Sequence, residues 1–376
     1  MKKTKILSSC IVLILGVASL IRTTFLLWNS FLPDFSVFYY SSFRLFHGLN
    51  PYTNVHLFTQ INYPPITLML FYPLLIFPFF EASKFWILIS ILFFILCMYL
   101  IKKNYSLNYQ KIGFIFFLSV MSFPFKFTLG MGQINIVLLF LILYMFYFLN
   151  RKKDKITAIL FSLAISIKLI PAIFAIGFFF LKRWKILLIA LISSIFLFFI
   201  PDLVSHRLIT IYYLNKVLLP LVLKPAGSVY YNQSITGFLS RIGMPSLVAF
   251  LIRIFLIALT ILKGYKSKEK LIFAETLFLT GFMTVNSFTW QHQLILLVIP
   301  FCYFLSQKLS LAKNILLLVL YVLLAVNIKN TAYFGHTLIN ELILSHGFFG
   351  LFGIWILLIL EKPIKLLKTD ELNRHK

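Results

Sequence analysis

The chain is poor in acidic residues, and one of them stands where its first apolar segment ends. Only 10 of the 376 residues are Asp or Glu, and Asp34 lies in the stretch PDFSVFYYSSFRLFHGLNPY. A carboxylate at a membrane surface can act as a general base that takes a proton from an attacking hydroxyl. It can equally cap the helix that follows, because Asp accepts backbone N–H bonds at an N-cap. Both interpretations stay open on residue type and position.

Basic side chains elsewhere in the chain could serve the same site. Lys168 stands inside an apolar segment, where an ionisable residue indicates a functional role because burial of a charge is costly. Snorkelling of its ammonium group to the interface is the alternative. Arg241 and His292 could stabilise an anionic group, or they could anchor the chain at the interface.

Further candidates follow from residue type and position alone. Arg44 and His47 could bind a ligand, or they could make ordinary headgroup contacts. Tyr63 could line a site, or it could belong to the aromatic belt at the interface. The amide candidates, which could bind hydroxyl groups or merely satisfy turns and loops, are Gln133 and Asn135 beside GMGQ, and Asn232 with Gln233.

The composition requires a bilayer around this chain. Hydrophobic residues make up 61% of it, charged residues 12%, and the mean hydropathy is +0.95. Soluble domains are about one quarter charged, and a compact core cannot bury this much apolar surface. We therefore predict an all-α polytopic membrane protein in which residues 1–376 form a single integral membrane domain.

A spanning helix needs about 20 apolar residues, and this length predicts about twelve spans, in the range 10–13. They are 6–28, 63–80, 85–101, 112–129, 134–149, 156–181, 185–203, 246–263, 271–286, 293–306, 314–331 and 346–361. An even number places both basic termini in the cytoplasm, but strict alternation leaves the clusters at 102 and 151 outside, against the positive-inside rule. The motif IKLIP at 167–171 offers an alternative, since it could divide segment 156–181 into a hairpin of two half-helices.

The formal net charge of +25 does not indicate nucleic-acid binding. The basic residues form short clusters between apolar segments, which is typical of cytoplasmic loops and of contact with anionic lipids. In this topology residues 29–62 and 204–245 are non-cytoplasmic loops and 362–376 is a cytoplasmic tail. The three cysteines show neither a disulfide framework nor metal-ligand spacing, and we expect no metal.

Residues 35–47 have the periodicity of an amphipathic helix. At 100° per residue Ser36, Tyr40 and Arg44 share one arc with Ser41 and His47, and aromatic residues with Leu45 fill the other. This pattern predicts an interfacial helix that lies with its aromatic side in the membrane. Gly48 and the Asn50–Pro51 pair then end the helix.

Six stretches occur in the order seen in one enzyme family. They are PDFSVFYYSSFRLFHGLNPY, INYPPITLMLFYPLLIFP, GMGQINIVLLFLIL, AISIKLIPAIFAIGFFFLKRWK, YYNQSITGFLSRI and NSFTWQHQLILLVIP. Between about residue 30 and residue 305 the chain thus resembles glycosyltransferase family 87, whose members are polytopic, GT-C-type enzymes that use polyprenyl-phosphate sugars.

The resemblance implies a GT-C-type fold and an inverting glycosyl transfer from a polyprenyl-phosphate sugar, with mannose the leading guess. Asp34 would be the catalytic base. Donor phosphate binding would fall to Lys168, His292, Arg241 and Arg44, and sugar or acceptor binding to His47, Tyr63, Gln133, Asn232 and Gln233. The expected partners are the lipid donor, a glycolipid or glycan acceptor and membrane lipids, with no cofactor and no nucleic acid. The expected location is the bacterial plasma membrane.

Two other classes of protein compete with this interpretation. A transporter or flippase for a lipid-linked sugar would show inverted repeats and paired broken helices, whereas the sequence shows one broken segment and no evident repeat. A non-catalytic membrane scaffold would have no need for the carboxylate of Asp34.

Overall fold

The computed structural model of the chain describes residues 2–53, 59–180, 182–223, 227–267, 270–328, 331 and 335–362. Within these ranges the protein is 79% helical and has no strand, which confirms the all-α prediction. The helices are α1 (Lys2–Leu27), α2 (Pro33–Phe46), α3 (Pro65–Met69), α4 (Phe79–Tyr105), α5 (Tyr109–Met121), α6 (Phe123–Met131), α7 (Asn135–Asn150), α8 (Asp154–Ile167), α9 (Phe174–Phe180), α10 (Trp184–Ser205), α11 (Ile209–Tyr212), α12 (Leu219–Leu223), α13 (Ile235–Arg241), α14 (Ser246–Lys266), α15 (Leu271–Val285), α16 (Val298–Leu305), α17 (Leu311–Ala325), α18 (Leu338–Leu344) and α19 (His346–Leu360).

Several of these helices are suited to a membrane. Four are long and apolar enough to cross one, namely Cys10–Leu27 within α1 and the whole of α4, α10 and α14. Two more candidates are bent pairs, α5 with α6 at 59° and α18 with α19 at 64°. Shorter apolar helices pack around them, and the protein is a multi-pass membrane protein. Helix length and composition do not establish the expected count of about twelve spans.

The predicted span 63–80 is wrong. This apolar stretch forms α3 and a 3-10 helix, Tyr72–Ile76, each of five residues. Prolines explain the interruption, because Pro65 and Pro73 each lie in the first turn of a short helix and Pro78 precedes α4. A proline lacks the N–H group that would continue a helix. The segment packs on α2, where Ser42 donates to the carbonyl of Leu68 at 2.9 Å.

Segment 156–181 forms a hairpin, as the alternative interpretation of IKLIP predicted. The prediction of one continuous span over these residues is wrong. Helix α8 stops at Lys168, which has an extended backbone. A 3-10 turn, Ile170–Ile173, then leads into α9. The chain returns to the end of the bundle at which α8 begins, because Arg183 after α9 lies 3.4 Å from Asp154 at the start of α8.

This hairpin places the basic clusters together at one end of the bundle. Tyr265 at the end of α14 lies 5.5 Å from Phe180 of α9, measured between ring centroids. Lys111 at the start of α5 donates to the carbonyl of Leu305 at the end of α16 at 2.7 Å. We call this the basic end; it includes 102–111, 151–155, 182–185 and 263–267. The opposite end, which we call the site end, carries α2.

Helix α2 exists at the predicted position and ends before Gly48, whose φ is +66°. The predicted division of its surface is wrong in part. Ser36 and Ser41 from the expected polar arc are buried, and Phe35 and Phe38 from the expected membrane-facing arc are buried within the protein. The reason is packing against protein, since Phe38 stacks on Phe71 with ring centroids 4.7 Å apart.

Candidate active site

Asp34 is the second residue of α2 and is half-buried. The N-cap position belongs to Leu32, and no side chain caps the helix there. The interpretation of Asp34 as an N-cap is therefore wrong. Its carboxylate still lies in the first turn, where the partial positive charge of the helix N-terminus stabilises an anion.

The main partner of Asp34 is an amide from the turn after α6. Gln133 donates a hydrogen bond from Nε2 to Oδ2 of Asp34. Gly132 makes this contact possible, because it adopts a left-handed conformation (φ +72°) and packs directly on α2. A Cβ atom at Gly132 would lie only 2.5 Å from the Cβ of Phe35. Gly132 thus provides both a tight turn and a close approach of the backbone to α2.

A chain of hydrogen bonds continues from Gln133 into the protein. The hydroxyl of Tyr63 donates to Oε1 of Gln133 at 2.7 Å. Lys168 donates from Nζ to the Tyr63 hydroxyl at 3.0 Å and to Oδ1 of Asn135 at 2.9 Å. Residues from α2, α7, the α8–α9 hairpin and two turns thus form one polar network around a buried lysine. We call Asp34, Gln133, Tyr63, Lys168 and Asn135 the Asp34 network.

His292 lies directly against this network. Its backbone carbonyl accepts hydrogen bonds from Nδ2 of Asn135 at 3.2 Å and from Oγ1 of Thr128 at 2.9 Å. Its imidazole ring lies 5.7 Å from the ring of Phe127 and is parallel to that of Trp290 at 6.5 Å. The network therefore contacts His292 through its backbone carbonyl.

Burial sets the proton affinity of the carboxylate. Burial raises the pKa of Asp34 above its ordinary value of 3.8, and the hydrogen bond from Gln133 and the charge of Lys168 only partly counter this. Burial likewise raises the pKa of the Tyr63 hydroxyl. Tyr63 therefore stays protonated at neutral pH and keeps its role as donor to Gln133. Asp34 is a stronger base than an exposed aspartate.

Arg241, Asn232 and Gln233 form a separate cluster. Nη1 of Arg241 donates to the carbonyls of Val229 and Asn232 at 3.2 and 2.8 Å. The polar atoms of both amides are occupied, mostly by the backbone; Nε2 of Gln233 donates to the carbonyl of Leu344 at 3.0 Å, for example. These bonds favour the alternative in which Asn232 and Gln233 satisfy a loop, and their role as sugar ligands stays a prediction.

This cluster borders a polar cavity of about 430 Å³. Its lining residues include Ser228, Tyr230, Ser240, Arg241 and Glu341. Burial lowers the pKa of Arg241 to about 10, while Glu341 and Tyr230 favour its charged form. The guanidinium group therefore remains positively charged at neutral pH.

Arg44 and His47 lie outside the Asp34 network. They follow Asp34 by about three turns of α2, which is roughly 15 to 20 Å along the helix axis. Arg44 donates to the carbonyl of Asn50 at 3.0 Å and to the hydroxyl of Thr53 at 3.2 Å. His47 stacks on Phe43 with ring centroids 3.9 Å apart. The structure gives both residues local roles at the end of α2.

Sequence reasoning missed Thr128, which lies in the apolar run FKFTLG before GMGQ. It is fully buried and bonds to the carbonyl of His292. A polar residue one turn before a predicted site turn was the available signal. Within the described ranges no group of three His, Cys, Asp or Glu side chains is placed to hold a metal ion.

The fold and the site together define a multi-pass helical membrane protein with a polar, carboxylate-containing site at one end of the bundle. Residues 61–287 match the family model of glycosyltransferase family 87. Because the match covers more than half of the 376 residues, the chain belongs to this family. The protein is therefore a membrane glycosyltransferase, as its sequence motifs predicted. No curated protein matches the chain.

Proposed function

We propose that this protein transfers a sugar, with mannose the leading candidate, from a polyprenyl-phosphate donor to a hydroxyl group of a lipid-linked or glycan acceptor. Family membership supplies the reaction class, glycosyl transfer. One structural observation carries the rest of the proposal, namely that Asp34 is oriented by Gln133 at the site end and linked through Tyr63 to Lys168.

The carboxylate of Asp34 acts as the general base in this proposal. Gln133 occupies Oδ2, so Oδ1 is the oxygen that an acceptor hydroxyl can approach. As Oδ1 takes the hydroxyl proton, the acceptor oxygen forms a bond to the anomeric carbon. The bond from that carbon to the phosphate oxygen breaks, and the electron pair leaves with polyprenyl phosphate. Attack opposite the leaving group inverts the anomeric configuration.

The leaving phosphate needs cationic or N–H groups around it. Lys168 is the best placed cation, because its Nζ has three N–H groups and the structure uses two of them for Tyr63 and Asn135. His292 is a second candidate, because its backbone carbonyl accepts a hydrogen bond from Asn135 of the same network. Arg241 and Arg44 have less support, since neither belongs to the Asp34 network. Tyr63 and Gln133 orient other residues of the site. Direct contact of these two side chains with the sugar stays a prediction.

The distribution of charge supports a site on the non-cytoplasmic face. A cytoplasmic basic end would agree with the positive-inside rule, and this supports a non-cytoplasmic position for the Asp34 network at the opposite end. Helix α1 packs along α5, with Leu13 near Gly113, and therefore begins at the basic end. Helix α19 ends there, where Lys263 donates to the carbonyl of Glu361 at 2.7 Å. The proposed location is the bacterial plasma membrane with both termini in the cytoplasm. Residues 363–376 of the expected tail lie outside the described residues.

The test is sugar transfer by purified protein from a panel of polyprenyl-phosphate sugars, with Asp34→Asn as the decisive variant. Asn keeps the size of the side chain but cannot accept the proton, and the loss of a general base costs about 10²–10⁴ in rate. Asp34→Glu keeps the base at a shifted position and should retain partial activity. Normal transfer by the Asn variant, at equal protein level and thermal stability, would contradict the proposal. Transport of the lipid-linked sugar without transfer would instead favour a flippase.

A further inference from the structure

The polar cavity beside Arg241 has no part in the proposed transfer reaction. Its volume is about 430 Å³, within the usual range of about 300–1,000 Å³ for pockets that hold small molecules. No member of the Asp34 network is among the described residues that line it. Hydroxyl groups and charged groups share its wall, and they come from Ser228, Tyr230, Ser240, Thr331, Arg241 and Glu341.

One buried serine connects the two charged residues of this cavity. Oγ of Ser345 accepts a hydrogen bond from Nε of Arg241 at 3.0 Å and donates one to the backbone carbonyl of Glu341 at 2.6 Å. The carboxylate of Glu341 pairs with His336 at 3.0 Å. Arg241 is nine-tenths buried, and its Nη2 has no hydrogen-bond partner among the described residues. The cavity is therefore lined by a guanidinium group with an unused donor and by a carboxylate that binds a different side chain.

This combination of groups suits a neutral sugar better than a phosphate. A hydroxyl group both donates and accepts hydrogen bonds, so the hydroxyls of one sugar can bind a guanidinium group and a carboxylate together. A phosphate dianion only accepts hydrogen bonds, and the nearby charge of Glu341 would repel it. Nη1 of Arg241 is already occupied by two backbone carbonyls, which leaves fewer donors for an anion.

One loop connects the cavity to the candidate active site. Tyr230 lines the cavity, and the ring of the next residue, Tyr231, lies 5.4 Å from that of Phe127. The ring of Phe127 in turn lies 5.7 Å from that of His292, whose carbonyl accepts a hydrogen bond from Asn135 of the Asp34 network. The cavity therefore lies at the site end, next to the Asp34 network and separate from it.

We propose that this cavity binds a sugar unit of the acceptor, away from the hydroxyl group that reacts at Asp34. This inference rests on the proposed function. The sugar of the donor does not fit this place, because its anomeric carbon must meet the acceptor oxygen beside Asp34, and the Asp34 network does not line the cavity. A further sugar of a glycan or glycolipid acceptor can occupy the cavity while the reacting hydroxyl reaches Asp34. Arg241 and Glu341 then select the acceptor through the hydroxyls of that sugar.

The test measures the binding of free sugars without any sugar transfer. The whole protein in phosphatidylcholine nanodiscs, which carry no sugar headgroup, is titrated with the methyl α-glycosides of mannose, glucose and galactose by saturation-transfer NMR. At least one of them should bind the parent protein. Ser240→Trp, which places an indole at an exposed position of the cavity wall, should abolish this binding. The matched control is Ser246→Trp at the start of α14, an exposed position outside the cavity lining, and it should bind like the parent.

Glu341→Gln tests the chemistry of the cavity separately from its shape. Gln has nearly the same size as Glu but no charge, so its hydrogen bonds to sugar hydroxyls are weaker. The dissociation constant of the bound glycoside should rise about tenfold, because charge-assisted hydrogen bonds are the stronger ones. The melting temperature should stay that of the parent, since the ion pair that is lost joins Glu341 to His336, whose side chain is 97% exposed, and exposed ion pairs contribute little to stability.

Three results would overturn the inference. The parent could bind none of the three glycosides. Ser240→Trp could bind the glycoside as tightly as the parent, which would place the bound sugar outside the cavity. Inorganic phosphate or undecaprenyl-phosphate mannose could displace the glycoside from the parent, which would assign the cavity to the donor.

The proposed function can fail separately. If Asp34→Asn transferred sugar normally while Ser240→Trp lost glycoside binding, the sugar site in the cavity would stand and the catalytic role of Asp34 would fall. If Asp34→Asn lost transfer while Ser240→Trp bound the glycoside normally, the catalytic proposal would stand and the sugar site in the cavity would fall.

Discussion

At the scale of single residues, the proton affinity of Asp34 predicts how activity depends on pH. The base must be deprotonated to accept a proton, so kcat/KM should rise as the pH increases through the pKa of Asp34. Burial raises that pKa above 3.8, and the acidic limb should therefore lie at higher pH than for an exposed aspartate. A profile of kcat/KM against pH measures this limb.

The Asp34→Asn variant is the control for that profile. Its residual activity should lack the acidic limb, because the titrating group has been removed. A limb of unchanged position in the Asn variant would assign the titration to another group and contradict the role of Asp34.

The hydroxyl of Tyr63 carries a second prediction at this scale. Tyr63→Phe removes the donor to Gln133 and the acceptor for Lys168. Sugar transfer should fall about tenfold, and stability should decrease by about 1 kcal/mol, the usual contribution of one hydrogen bond. The measurements are initial rates over a range of donor concentrations and a thermal unfolding midpoint.

Tyr72→Phe is a matched control for this change, because Tyr72 lies on the same end of the bundle and is 50% exposed. It should behave like the parent protein. Activity of Tyr63→Phe within a factor of two of the parent would show that the link between Gln133 and Lys168 contributes nothing to transfer.

The sequence predicted much of the site at this scale, and the reason is physical. Asp34, Tyr63 and Gln133 are polar residues at the ends of apolar segments, and Lys168 stands inside one. A polar side chain in such a place needs a partner. Their contacts could not be predicted, since Lys168 and Tyr63 are separated by 105 residues. The hydrogen bonds from Arg241 to backbone carbonyls could not be predicted either, because residue type does not reveal which carbonyls lie nearby.

At the scale of elements, the turn after α6 decides whether Gln133 reaches Asp34. Gly132→Ala places a side chain in a left-handed conformation, which costs about 1–2 kcal/mol. The new Cβ would also lie 2.5 Å from the Cβ of Phe35, and overpacking adds about 1–3 kcal/mol. We expect a lower thermal unfolding midpoint and a large loss of transfer.

Two glycines separate these causes. Gly243 has a φ of +71° with no atom near a new Cβ, so Gly243→Ala reports strain alone. At Gly130 a new Cβ would make an ordinary contact of 3.6 Å with Leu27, so Gly130→Ala should be tolerated. If Gly132→Ala were no worse than Gly243→Ala, the close approach of the turn to α2 would have no energetic consequence.

The elements also show what a sequence pattern could not predict. The periodicity of residues 35–47 predicted a helix, but it placed the aromatic face in the membrane, because the pattern cannot show that Phe71 offers a packing surface for Phe38 within the protein. Segment 63–80 has the apolar content of a span, yet its prolines end each helix after five residues. The hairpin at 156–181 was foreseen from Lys168 and Pro171, two residues that a continuous span tolerates poorly.

At the scale of the whole molecule, the two corrections to the helices remove the conflict between strict alternation and the positive-inside rule. Without a span at 63–80, the clusters at 102 and 151 reach the opposite end of the bundle from the one that strict alternation predicts. The α8–α9 hairpin brings the chain back to the same end before α10 begins. All basic clusters of the described bundle consequently lie at the basic end, in agreement with the positive-inside rule.

This arrangement predicts which positions are accessible from outside an intact cell. Single cysteines at Ser228, on the site end, should react with a membrane-impermeant thiol reagent, and cysteines at Gln110 and Lys155, on the basic end, should not. All three positions are exposed in the structure, so burial cannot explain a difference between them.

Cys10 is the exposed native thiol among the three cysteines, and a Cys10→Ala parent removes its background. Permeabilised cells should allow labelling at all three positions. Strict alternation of the twelve spans predicted from sequence would expose Gln110 outside together with Ser228, so labelling at both positions in intact cells would support that topology. Labelling of Gln110 without Ser228 would place the basic end outside and the Asp34 network in the cytoplasm, which is the wrong side for a donor that is used outside the cytoplasm.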